Sequence, residues 1–83
     1  AICAAPIIIG KLGLLEDKEA ICYPGFEDKL LNAKISDKTT VVANNIITSK
    51  GMGSAIEFAL TIVENLINKE TAIKIAEKII STY

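Results

Sequence analysis

The first six residues, Ala1-Ile2-Cys3-Ala4-Ala5-Pro6, constrain the fold most, because the end of an apolar strand, a thiol and a helix start fall on consecutive positions. Pro6 fits a first helical turn, where its missing N–H has no partner to lose, and Ala4 and Ala5 crowd the turn little. A cysteine there faces the first unpaired helix N–H groups and the positive end of the helix dipole, both of which favour a thiolate. A strand running straight into a helix points to an α/β architecture with a reactive thiol at the junction.

The rest of the chain supplies elements of the same class. Ile7, Ile8, Ile9, Leu12, Leu14 and Leu15 predict a short apolar helix, with Gly10 and Gly13 suited to close packing and to a left-handed helix stop. Ala20-Ile21-Cys22-Tyr23 reads as a strand closed by Pro24-Gly25. Thr39 to Ala43 and Ile46 to Ser49 read as two short strands joined at Asn44-Asn45, a pair that tolerates turn geometry. Lys50-Gly51-Met52-Gly53-Ser54 then leads into the longest periodic segment. From Ser54 to Ile67, the residues Ala55, Ile56, Ala59, Leu60, Ile62, Val63, Leu66 and Ile67 share one broad helical face, with Glu57 and Glu64 near its edge. That pattern predicts a helix packed on a sheet. Lys69 to Ile80 repeats it with Ala72, Ile73, Ala76, Ile79 and Ile80, and Glu70 and Lys74 form an i,i+4 pair. This terminal helix is expected to dock by one face, on its own sheet or on a dimer partner.

Eighty-three residues allow at most one small domain, and 51% hydrophobic residues with two Phe, two Tyr and no Trp imply an aliphatic core. An open parallel sheet needs several βαβ units to cover both faces, whereas here one truncated unit precedes a hairpin and two helices. The expectation is a fragment that begins at the end of a strand, with an amino-terminal remainder of roughly 100 residues, on the scale of one ordinary domain. A net charge of -1 with nine Lys and no Arg leaves no basic stripe for nucleic acid. The opening apolar run carries Pro6 and Lys11 and falls short of the ~20 residues that cross a bilayer. The chain has no His, so neither a Cys-His dyad nor a His-bearing metal site can be assembled from it.

Ala-Ile-Cys-Ala-x-Pro at the start, Pro24 followed by Asp28-Lys29, and Ile47-Thr48-Ser49-Lys50-Gly51-x-Gly53-x-x-x-Glu57-Phe58-Ala59-Leu60 together resemble the carboxyl-terminal half of the ThiJ/PfpI superfamily. The branch they resemble is that of the parkinsonism-associated deglycases and their bacterial relatives. The resemblance implies a flavodoxin-like, doubly wound α/β sandwich, of which residues 1–83 form the C-terminal part beginning at the nucleophile elbow. It implies a cytoplasmic homodimer acting on a small carbonyl substrate, completed by the N-terminal half of the same domain. Cys3 takes the place of the reactive cysteine, and the backbone N–H of Ala4 that of the oxyanion donor. A glutamate that hydrogen-bonds the cysteine belongs to the other half. No cofactor and no metal are implied.

Two functions follow from the resemblance. One is a glyoxalase-III-like lyase or a protein deglycase, acting on methylglyoxal and early glycation adducts through Cys3. The other is a redox sensor or stress-response chaperone in which Cys3 is oxidised. Tyr23 stands where the deglycase branch often has a histidine. A phenol is a poor general base near neutral pH but can donate a hydrogen bond to a bound oxygen, and the ring can equally serve as an aromatic wall. Lys50 aligns with a basic position near the cysteine; it either attracts an anionic substrate and steadies the thiolate or is a solvated lysine. Gly51, Met52 and Gly53 either let backbone N–H groups approach a substrate anion or form a tight strand-to-helix turn. Cys22, in an apolar run, reads as a packed core thiol rather than a resolving cysteine.

Overall fold

Ala5 and Pro6 roll the chain directly from the thiol into a helix, as the opening residues predict. A computed structural model of the protein describes residues 1–82 and has α1 at Pro6–Lys11, with Pro6 in its first turn. The helix stops where Gly13 takes φ +79°, a backbone conformation that L side chains adopt only with strain. Gly10 serves close packing, since a Cβ there would lie 3.2 Å from the Leu30 Cα.

The strands are short. β1 (Glu19–Ala20) pairs parallel with β2 (Lys34–Ile35), in the register Glu19 to Lys34 and Ala20 to Ile35. β3 (Thr40–Ala43) and β4 (Ile46–Ser49) form the antiparallel hairpin expected at Asn44-Asn45, with Asn44 at φ +55°. Residues 1–3 run beside β4. The Ala1 amino group donates to the Ile47 carbonyl at 2.7 Å, the Ser49 N–H to the Ala1 carbonyl at 3.1 Å, and the Cys3 N–H to the Ser49 carbonyl at 3.0 Å. On their other side, the Tyr23 N–H donates to the Cys3 carbonyl at 2.8 Å. The segment that carries the thiol is thus hydrogen-bonded on both edges.

The strand expected over Ala20 to Tyr23 ends at Ala20 because its next donor turns to a side chain. The Ile21 N–H donates to the buried Thr48 Oγ1 at 3.0 Å. Thr48→Val keeps the shape but removes that acceptor, leaving a buried N–H unpaired. We expect it to destabilise the fold by about 1–3 kcal/mol, read as a lower urea midpoint with an unchanged slope.

The core is aliphatic, as composition implies. Leu15, Ala20, Cys22 and Leu30 form its buried cluster, with Ile7, Ile9, Ala33 and Ile46 packed against it. α2 (Ala55–Leu66) and α3 (Lys69–Lys78) match the two periodic segments to within two residues at each end. The face of α2 differs from expectation. Leu60 is buried at 3% exposure and Ile62 and Val63 are half-buried, but Leu66 is 80% exposed, and Ala55, Ile56, Ala59 and Ile67 also face outward. Strands of two to four residues offer too little surface to cover a broad apolar stripe. α3 docks on α2 rather than on the sheet and buries only Ala72 and Ala76. Asn68 caps it, its side-chain oxygen accepting the Thr71 N–H at 2.7 Å, and the expected Lys74–Glu70 pair forms at 3.2 Å.

Candidate functional site

Cys3 takes φ +65°, inside the left-handed region that non-glycine residues avoid at about 1–3 kcal/mol. The conformation holds because both its backbone groups are bonded, the N–H to Ser49 and the carbonyl to Tyr23. The turn closes at once, with the Ala5 N–H donating to the Ile2 carbonyl at 3.1 Å and the Ile7 N–H to the Ala4 carbonyl at 3.1 Å. The residue is half-buried and is in no disulfide. The N-cap residue of α1, Ala5, brings no side-chain hydrogen bond, and among the described residues no backbone acceptor meets the Ala4 N–H. A donor beside the thiol is therefore uncommitted.

Tyr23, Lys50, Gly51, Met52 and Gly53 line one open cleft of about 420 Å³, with Glu57 on its edge. Cys3 does not line it; the thiol residue is joined to the cleft through the Tyr23 backbone. The Tyr23 side chain, 49% exposed, lies over Gly51, where a Cβ would meet the ring at 3.6 Å, and tilts against Phe26 at 6.1 Å between centroids. Met52 projects from the tip at 92% exposure. Lys50 is half-buried, and its charge reaches an acid the sequence did not single out, Glu27. Its own N–H and that of Gly25, which donates to Oε1 at 2.8 Å, hold the Glu27 carboxyl below the usual range, and the Lys50 charge adds to them.

Of the two roles open to Gly51, its N–H serves the tight turn, being taken by the Ser54 Oγ at 3.2 Å. Three buried or half-buried hydroxyls behind the turn escaped the sequence reading. Ser49 Oγ lies 2.8 Å from Thr40 Oγ1 and 2.7 Å from Ser54 Oγ, and donates to the Thr39 carbonyl at 2.9 Å. Ser54 Oγ also donates to the Gly51 carbonyl at 2.9 Å. Nothing in the spacing of Thr40, Ser49 and Ser54 announces a cluster, because strand pairing and the turn bring them together.

Residues 1–65 match the DJ-1/PfpI family. This chain belongs to the DJ-1/PfpI family. It is 41% identical to Protein dj-1beta of Drosophila melanogaster over its whole length, which is 46% of that protein. It is 40% identical over 80% of its length to the glutathione-independent glyoxalase DJR-1.2 of Caenorhabditis elegans, covering 36% of that enzyme. The solved structure of oxidized DJ-1 from Toxoplasma gondii superposes with a TM-score of 0.92 at 43% identity, over all of this chain and 46% of that one. The chain thus spans between about a third and a half of the length of these relatives. The DJ-1-type α/β fold expected from the sequence stands, for the part of that fold the chain covers.

Within this DJ-1/PfpI chain, Cys22 lies in the core at 0% exposure and is a free thiol. Burial pushes its ionisation upward, and the nearby Glu27 and Asp28 carboxylates push it further. The folded thiol therefore stays neutral where the unfolded chain already ionises, above about pH 8.5. Its contribution to stability is intact below that value and is lost as pH rises toward the folded pKa. Urea midpoints measured between neutral and alkaline pH are expected to fall less steeply in Cys22→Ala than in the parent. Among the described residues no group of three or more His, Cys, Asp or Glu could hold a metal, and no helix is long and apolar enough to cross a membrane.

Proposed function

We propose that Cys3 is the nucleophile of a glyoxalase-III-like or protein deglycase activity on methylglyoxal and early glycation adducts. The observation that carries this reading is the φ of +65° at Cys3, strain retained at a strand-to-helix turn beside an uncommitted Ala4 N–H. A relative 40% identical to the chain is named as a glutathione-independent glyoxalase, which supports the same chemistry. The thiolate attacks the aldehyde carbon of methylglyoxal, forming a C–S bond as the carbonyl electron pair moves onto oxygen, where the Ala4 N–H can receive it. A proton then passes from the former aldehyde carbon to the neighbouring carbonyl centre, giving a lactoyl thioester. Water cleaves the C–S bond and releases lactate and the thiol. The sum is methylglyoxal plus water to lactate and a proton, with no external oxidant.

Proton transfer needs a base, and this chain has no His to provide one. In this reading a glutamate from a segment of the domain outside these residues supplies it. Tyr23 contributes at most a hydrogen bond to a bound oxygen, and Lys50, Gly51, Met52 and Gly53 form the wall that admits substrate. The exposed apolar side chains of α2 support a cover from that segment, and the assembly is a cytoplasmic homodimer. Methylglyoxal turnover, measured as lactate in the intact protein and in Cys3→Ser, tests the enzyme reading.

A second reading rests on the absence of His and on the tyrosine at position 23. With no histidine base in the chain, Cys3 serves as a redox-sensing thiol of a stress-response or chaperone protein, oxidised by hydrogen peroxide to sulfenic acid with release of water. Peroxide-dependent mass gain at Cys3 without any lactate formation distinguishes it from the enzyme.

A further inference from the structure

We infer that Ser49 and Ser54 are positioning residues that fix the Lys50 wall of the cleft relative to the Cys3 thiol. The inference rests on the reading of Cys3 as the reactive thiol. Ser49 is the junction. Its carbonyl accepts the Cys3 N–H at 3.0 Å, while its hydroxyl lies 2.7 Å from Ser54 Oγ. Ser54 in turn grips both polar groups of Gly51, accepting its N–H at 3.2 Å and donating to its carbonyl at 2.9 Å. One continuous chain of hydrogen bonds thus runs from the thiol's own backbone to the residue after Lys50.

The turn needs such a pin. Glycines flank Met52 on both sides, and at 92% exposure the Met52 side chain gives the tip no packing anchor. Three hydroxyl protons, from Thr40, Ser49 and Ser54, serve four contacts, so one carbonyl must find another donor. Both carbonyls have one, because the Lys50 N–H donates to Thr39 at 3.1 Å and the Ser54 N–H to Gly51 at 2.9 Å. The cluster is therefore satisfied in either proton order, and Ser49 and Ser54 are both buried. On this inference the pinned Lys50 charge favours the approach of negatively charged electrophiles to the thiol, and losing the pin frees the turn and removes that advantage.

The test uses the intact protein and compares alkylation of Cys3 by iodoacetate, which is anionic, and iodoacetamide, which is neutral, with modified Cys3 counted by peptide mass. The anionic-to-neutral rate ratio reads the placement of Lys50, whereas a loss of stability alone does not move it. Lys50→Ala is expected to lower the ratio about five-fold, Ser54→Ala about two- to five-fold, and Ser54→Thr to return it to within about two-fold of the parent. A folded Ser54→Ala protein that keeps the parent ratio while Lys50→Ala loses it overturns the inference and leaves the thiol reading standing. A ratio indifferent to Lys50→Ala overturns it too, by removing Lys50 from the site. Cys3 unreactive toward both reagents takes the proposed function down with it. If Ser54→Ala does not fold, Ser49→Ala breaks the same contact from the strand side and is read in the same way.

Discussion

Cys3→Ser is expected to abolish methylglyoxal turnover, with a loss of at least about 10³-fold, because a nucleophile acting as part of a unit carries most of its rate. Serine matches the thiol in shape and hydrogen-bonding reach but is by far the weaker nucleophile. The substitution therefore removes chemistry while leaving the turn intact. Cys3→Gly separates chemistry from strain. At φ +65° glycine relieves about 1–2 kcal/mol of steric opposition, offset in part by about 0.5–1 kcal/mol of added chain entropy. Its thermal midpoint should equal or exceed the parent's while turnover is lost. Lactate production that survives in Cys3→Ser would remove the thiol from the mechanism. A Cys3→Gly protein that unfolds would show that the side chain, not the hydrogen-bonded backbone, maintains the turn.

Leu15→Ala should be the most damaging single truncation in the core. Leu15 is fully buried with Ala20, Cys22 and Leu30, and neighbours this small cannot collapse far into the space it vacates. The expected loss is about 2–5 kcal/mol, against total stabilities of about 5–15 kcal/mol for ordinary domains. Leu14→Ala is the control one residue away. With 49% of Leu14 exposed, its truncation should change stability by about 0.5 kcal/mol or less. Urea titrations of both variants decide the matter, and a Leu15→Ala shift no larger than that of Leu14→Ala would place the core elsewhere.

Much of the local structure was legible because local rules decide it. Pro6 and the small residues before it mark the start of α1, and Asn44-Asn45 marks the hairpin. The spacing of Ala72 and Ala76 marks the buried edge of α3, whereas Ile73, Ile79 and Ile80 of the same expected face stand exposed, and Glu70 with Lys74 makes the pair that spacing allows. The strand expected at Ala20 to Tyr23 and the buried face of α2 were overestimated for one reason. An apolar pattern states what a segment could bury, whereas burial depends on the partner surface present, and here two- to four-residue strands provide little.

The candidate site divides along the same line. By itself the sequence determined the thiol at a strand-to-helix turn, the absence of a histidine partner, and the residues of the Lys50-to-Gly53 turn, since each depends on residue identity and near neighbours. Tertiary structure alone decided that Ser49 ties the turn to Cys3 and that its hydroxyl meets those of Thr40 and Ser54. Those pairs join residues from different strands and turns, and a hydroxyl finds such a partner only after the hairpin and the 1–3 segment have paired. The free energy of an unpaired buried polar group then selects the arrangement, and no periodicity in the chain records it.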